Sequence, residues 1–167
     1  MNPTEEFKMR YVYRHRKTGE IKFHVEDIET LENGSAKNMR YIFREHGYEF
    51  VGRNLYSTVD LYSKATDAVK GVELYEGDIV EVEGHWNTKW LAVVKFGRYM
   101  QDGSGGEYEG TECIGFYIEA IDPDQVDEWD CRIISEYQKQ MSLLECSSLE
   151  WTGKSIYSHP ELVKGDK

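Results

Sequence analysis

Long apolar runs are missing from this chain of 167 residues. No stretch approaches the roughly 20 apolar residues that a membrane helix requires, so no membrane partner is expected. The opening, MNPTEEFKMR, also lacks the apolar segment of a secretion signal, which points to a soluble protein of the cytoplasm. Cysteine is sparse: Cys113, Cys131 and Cys146 contain no Cys-x-x-Cys pair and cannot all pair within one chain. A disulfide framework is therefore not expected, and a reducing compartment fits. Positive charge is short as well, with 20 Lys and Arg against 31 Asp and Glu.

Chemical motifs are equally thin. No serine or cysteine sits in a nucleophile elbow, and Gly103 to Gly106 lacks the lysine and helix of a phosphate-binding loop. His15, His24, His46, His85 and His159 form no ligand motif, and the cysteines are too widely spaced for a zinc pattern. The acids Glu119, Asp122, Asp124, Asp127, Glu128 and Asp130 fail the helix-loop-helix calcium pattern, because the sixth position counted from Asp122 is Asp127 rather than glycine. They read as surface and helix-start charges. No catalytic residue, metal or cofactor is expected.

What the chain does contain is aromatic and strand-forming. Twelve tyrosines and four tryptophans suit pleated faces, and tyrosine is also frequent at contact surfaces. The charge is unevenly spread: residues 1–60 hold ten basic and ten acidic residues, whereas 61–167 hold ten basic and twenty-one acidic. The second part would thus repel a phosphate backbone at long range.

Along the chain, Tyr11 to His15 and Ile21 to Val25 read as a hairpin turning at Gly19. Asp27 to Leu31 reads as a short helical turn, and a helix capped by Ser35 carries Met39, Ile42 and Phe43 to a stop near Gly47. Tyr48 to Tyr62 reads as irregular and extended, with a turn at Gly52-Arg53-Asn54, and 61–71 is ambiguous between loop and short helix. Strands are expected at Asp78 to Glu83, Lys89 to Phe96, Cys113 to Ile121 and Leu149 to Thr152. In DIVEVE, Val80 and Val82 share one face and Glu81 and Glu83 the other. A Gly-rich loop spans 100–110. Val126, Trp129, Ile133, Tyr137, Met141 and Leu144 recur every three or four residues, so an amphipathic helix is expected after Asp122 or Asp127.

Two stretches resemble a known family. Gly71, Glu73, Leu74, Tyr75, Glu76, Gly77, Asp78, Ile79 and Val80 are similar to a segment reading Gly-x-Glu-Ile-Tyr-Glu-Gly-Asp-Ile-Val. Gly153, Ile156, Tyr157, Pro160, Glu161 and Leu162 are similar to a closing Gly-Asn-Ile-Tyr-x-Asn-Pro-Glu-Leu. Together they resemble the YopX family of bacteriophage and prophage proteins. Lys154-Ser155 stands where the family has one asparagine, His159 replaces another, and Tyr56 to Leu61 lacks a family glycine at Thr58.

The resemblance implies a mainly β fold with helical additions: a partly open SH3-like barrel plus an N-terminal α/β extension. Residues 1–60 would form the hairpin and short helix packing on the barrel, 61–164 the barrel with its inserted helix, and 165–167 a flexible tail. It implies no reaction. Gly77, Asp78, Gly153 and Pro160 are expected at structural turns, with Asp78 accepting turn amide hydrogens. The expected function is a noncatalytic module engaging a host or phage protein in the bacterial cytoplasm through Trp86, Tyr99 and Tyr108. The alternative is nucleic-acid binding by the basic-aromatic hairpin residues Arg10, Tyr11, Tyr13, Arg14 and Arg16. Self-association stays open.

Overall fold

A computed structural model describes residues 8–63, 68–84, 88–101, 109–146 and 148–164. The chain divides into two compact units, Met1–Tyr56 and Ser57–Lys167. Strands dominate, in two sheets accompanied by a few short helices.

In the first unit, β1 (Lys8–His15) pairs with β2 (Ile21–Asp27) and, on its other side, with β3 (Tyr48–Ser63). Strand β1 is thus flanked by strands on both edges, and it is buried from Arg10 through Tyr13. The short helix α1 (Ile28–Glu32) starts where the Asp27 carboxylate accepts from the Thr30 amide at 2.8 Å. Helix α2 (Ser35–Glu45) follows directly. Ser35 does not cap it as expected: Gly34 takes that place, and the Ser35 hydroxyl instead donates to buried Glu26 at 2.6 Å. The helix turns Ala36 and Phe43 toward a small aromatic core of Tyr11, Tyr13 and Tyr48.

The irregular segment expected at 48–62 is one long strand. Its supposed turn at Gly52 is a strand position opposite Val12, and the extra residue Val51 is absorbed as a bulge between the pairs Val12↔Gly52 and Tyr13↔Phe50. The ambiguous 61–71 region resolves at both ends into strand, with β3 ending at Ser63 and β4 (Ala68–Tyr75) beginning at Ala68. The first sheet therefore has the order β2-β1-β3-β4.

The second sheet has the order β8-β7-β6-β5-β9. Its strands are β5 (Asp78–Glu83), β6 (Lys89–Gln101), β7 (Thr111–Ala120), β8 (Gln140–Ser142) and β9 (Leu149–Ser155). One face carries the core, built from Val80, Val82, Trp90, Val94, Ile118 and Leu149 with Leu74, Ile134 and Leu143. Among the described residues neither strand order closes on itself, so the observed architecture is a two-sheet, β-rich fold with a couple of helices.

The amphipathic helix expected after Asp122 does not form. Asp127 Oδ1 accepts from the amides of Trp129 and Cys131, each at 2.9 Å, and Asp130 takes a left-handed φ of 63°. The side chain thus offers the backbone a local alternative to helical hydrogen bonds. The chain doubles back, bridging Val126 to Arg132, and then makes two 3-10 turns around the edge strand β8. Ile134 and Leu143 reach the core from this irregular path, whereas Trp129 and Leu144 face solvent.

Candidate functional site

At the β4–β5 turn, Gly77 adopts φ 88° and Asp78 is 1% exposed. Asp78 Oδ2 accepts from the Tyr75 amide at 2.9 Å, while the Gly77 amide donates to the Val94 carbonyl at 2.7 Å. The Ile156 amide donates to the Gly77 carbonyl at 2.9 Å, which ties the turn to the chain beyond β9. Gly153 lies within β9 at φ 75°, where the pairing shifts from Ile79↔Lys154 to Val80↔Trp151. Pro160 opens a 3-10 turn. Gly77 and Gly153 thus hold positive φ, Asp78 caps the turn amide of Tyr75, and Pro160 starts a helical turn.

The basic-aromatic hairpin is placed differently from what its sequence suggests. Arg10, Tyr11 and Tyr13 are 4%, 5% and 1% exposed, so they cannot present charge and rings to a nucleic acid. Asn54 Oδ1 accepts from Arg10 Nε and Nη2, both at 3.3 Å, and the guanidinium lies 4.5 Å from the Phe23 ring centroid. Tyr13 stacks on Phe43. The reason is what packs on β1: Leu31, Ala36 and Phe43 lie against Tyr11 and Tyr13, while Asn54 and Phe23 from the flanking strands enclose Arg10. Only Arg14 and Arg16 of the expected set are solvent-facing.

Of the expected protein contacts, Trp86 and Tyr108 lie outside the described residues. Tyr99 is not in a loop: it sits within β6, is 8% exposed, and stacks on Tyr117 with ring centroids 4.8 Å apart. Burial raises the Tyr117 hydroxyl above its ordinary pKa, with the nearby Glu119 charge adding to the effect. On the same face Lys95 pairs with Glu119, which also accepts from Gln140 at 2.8 Å. Burial opposes the Glu119 charge, yet these two donors outweigh it and hold the carboxyl below its usual range.

The opposite face of the same two strands is the candidate site. The β6–β7 register pairs Val94 with Ile118, Phe96 with Phe116, Arg98 with Ile114 and Met100 with Glu112. With a side-chain period of two, all of these share one face. Val94 and Ile118 belong to the core and Phe116 packs against it, but the core ends there. Beyond it Phe96, Met100 and Ile114 are 44%, 50% and 69% exposed. The Phe96 and Phe116 rings, 4.9 Å apart, join this strip to the core, and Arg98 Nη1 donates to Glu112 at 2.9 Å on the same face, so an ion pair alternates with Met100 and Ile114. The result is a sheet-borne face of exposed apolar side chains interleaved with one ion pair, a mixture that contact surfaces share. The strands were expected to end at Phe96 and begin again at Cys113, with Tyr99 beside the loop between them; they run on to Gln101 and start at Thr111, which makes Tyr99 a strand residue.

No grouping of three or more His, Cys, Asp or Glu suited to a metal occurs among the described residues. His24 contacts Glu26 and His46 contacts the Ile42 carbonyl, while His85 lies outside the described residues. Cys113, Cys131 and Cys146 are free thiols. No described helix is long and apolar enough to cross a membrane. No family model matches the chain, and neither the curated proteins nor the solved structures contain a match to it.

Proposed function

We propose that the chain is a phage-associated, noncatalytic binding module of YopX type whose second unit engages a host or phage protein through the β6–β7 strip. The observation that carries this reading is the exposure of Phe96, Met100 and Ile114 on a face that is core only two residue pairs away. Leaving such side chains in water forgoes about 25 cal/mol per Å² of apolar burial, which a partner surface would recover. The strands already hold them in place, so little conformational entropy is lost on docking. The excess of acids in this unit would steer a partner bearing basic residues around an apolar centre.

The barrel part of the proposal draws on connectivity. Strands β5, β6 and β7 form a meander, and β9 returns to pair with β5 outside it. That arrangement is compatible with a small, partly open SH3-like roll. The proposal assigns no catalytic residue and no cofactor.

Affinity capture from lysogenic or phage-infected bacteria, with Met100→Ser/Ile114→Ser as the comparison protein, tests it. A specific protein retained by the parent and reduced at least about tenfold with the variant supports the docking strip, a loss of the size single hot spots produce. Equal retention by both proteins rejects it.

A further inference from the structure

The flank of α2 beside its core-facing residues Ala36 and Phe43 carries Lys37, Arg40, Tyr41 and Arg44, the i, i+3, i+4 and i+7 positions of one helical stripe. Between this stripe and the start of β3 lies a cavity of about 360 Å³, completed by Arg16, Tyr48, Glu49 and Phe50. Four cations thus border one hollow that contains a single carboxylate. Among the described residues none of the four has an ion-pair partner, a state they share with Arg14, Lys17, Arg53, Lys154 and Lys164; what sets the four apart is their convergence on one hollow. In a chain with 31 acids, clustering the unpaired cations costs mutual repulsion that an anion would relieve.

The aromatic groups narrow the anion's identity. Arg40 lies over the Phe50 ring at 4.0 Å, so its guanidinium plane is held while its N–H edge remains available for a forked contact to phosphate oxygens. Arg44 stands 5.9 Å from the Tyr41 ring, and Tyr41 itself is 60% exposed, leaving a ring face on which a planar base can stack. The hollow is of the size that accepts one small planar group with its phosphate. A simple phosphate site has no use for the exposed tyrosine, and an acidic peptide gains nothing from it.

We propose that this groove binds nucleotides, with Arg16, Lys37, Arg40 and Arg44 taking phosphate and Tyr41 taking the base. It is independent of the β6–β7 strip and uses a residue set that shares only Arg16 with the basic-aromatic hairpin. The nucleotide belongs to a single strand or is free in solution; a duplex would bring many more phosphates near the acidic second part of the chain.

Fluorescence anisotropy of the full chain with a labelled single-stranded oligonucleotide of about ten residues, a length within the usual site sizes, tests the assignment. Binding should weaken as salt rises from ~50 to ~200 mM. Arg40→Gln/Arg44→Gln and Tyr41→Ala should each lower affinity about tenfold. Lys37→Gln, at an exposed position where misfolding is not at issue, should lower it severalfold, and Arg53→Gln, an exposed cation outside the groove, should leave it unchanged. Competition by adenosine monophosphate at micromolar concentration assigns the groove to free nucleotide, and its failure up to millimolar assigns it to a strand; both sustain the proposal. Absence of binding at low salt, equal loss with Arg53→Gln, or equal displacement by inorganic phosphate or an oligoglutamate peptide overturns it.

Discussion

The Asp78 carboxylate accepts the Tyr75 amide across the β4–β5 turn at 2.9 Å while being 1% exposed. Replacing it with alanine strands a buried donor, so Asp78→Ala should lower stability by about 1 to 3 kcal/mol. Gly77→Ala should also destabilise: its φ of 88° disfavours any β-carbon, and that carbon would meet Tyr157 at 3.1 Å and Ile156 at 3.3 Å. Urea denaturation of both variants measures this, and unchanged midpoints would contradict the tether.

Tyr13 offers a contrasting case. Its ring stacks 3.9 Å from Phe43, yet its buried hydroxyl has no hydrogen-bond partner among the described residues. Burial, ahead of nearby charges, raises its pKa. Tyr13→Phe keeps the stack and removes an unsatisfied polar atom, so stability should be unchanged or higher by up to about 1 kcal/mol. A clear loss in thermal unfolding would show that the hydroxyl is satisfied after all.

The three thiols should react in a fixed order. Burial, reinforced by Glu145, pushes Cys146 up to about 12, so it remains a protonated thiol through neutral and mildly alkaline pH. Cys131 is exposed on the Asp127 loop. Because the thiolate is the attacking form, alkylation of the folded protein at pH 8 should mark Cys131 first and Cys146 only after unfolding. Peptide mapping checks the order, and early Cys146 labelling would contradict the packing of that strand connection.

Glu119 makes stability sensitive to acid. Its folded pKa lies below the ordinary value of 4.5, despite partial burial, because of Lys95 and Gln140. A depressed carboxyl contributes stability above its unfolded pKa and loses it as pH falls through the folded one. The parent should therefore exceed Glu119→Gln near pH 7, and the two should converge below the ordinary carboxylate range. The difference should be small because both partners are over a third exposed or nearly so, and it should shrink with salt. A constant gap between the two denaturation curves across pH would remove the ion pair from the account.

Several elements were legible because a local pattern suffices to specify them. Alternation placed β5 at Asp78 to Glu83, and the strand-turn-strand reading around Gly19 located the first hairpin. Asp27 and Gly47 bracketed the two short helices. The 122–146 region misled for an equally local reason: its apolar spacing suits a helix, but Asp127 captures two amides that the helix would have needed elsewhere.

The candidate surfaces depended on something alternation does not contain. A period of two tells which residues share a face, and a period near 3.6 tells which share a helical stripe, so the amino-acid order determined the groupings Phe96 with Met100 and Lys37 with Arg44. Which grouping met solvent was decided by tertiary structure. The core ends at Phe116, exposing the strip beyond it, while Tyr99 on the other face is covered by Tyr117, and the helices with the side chains of β2 and β3 cover Arg10, Tyr11 and Tyr13. Burial is set by what packs against a face, and that partner lies far away along the chain.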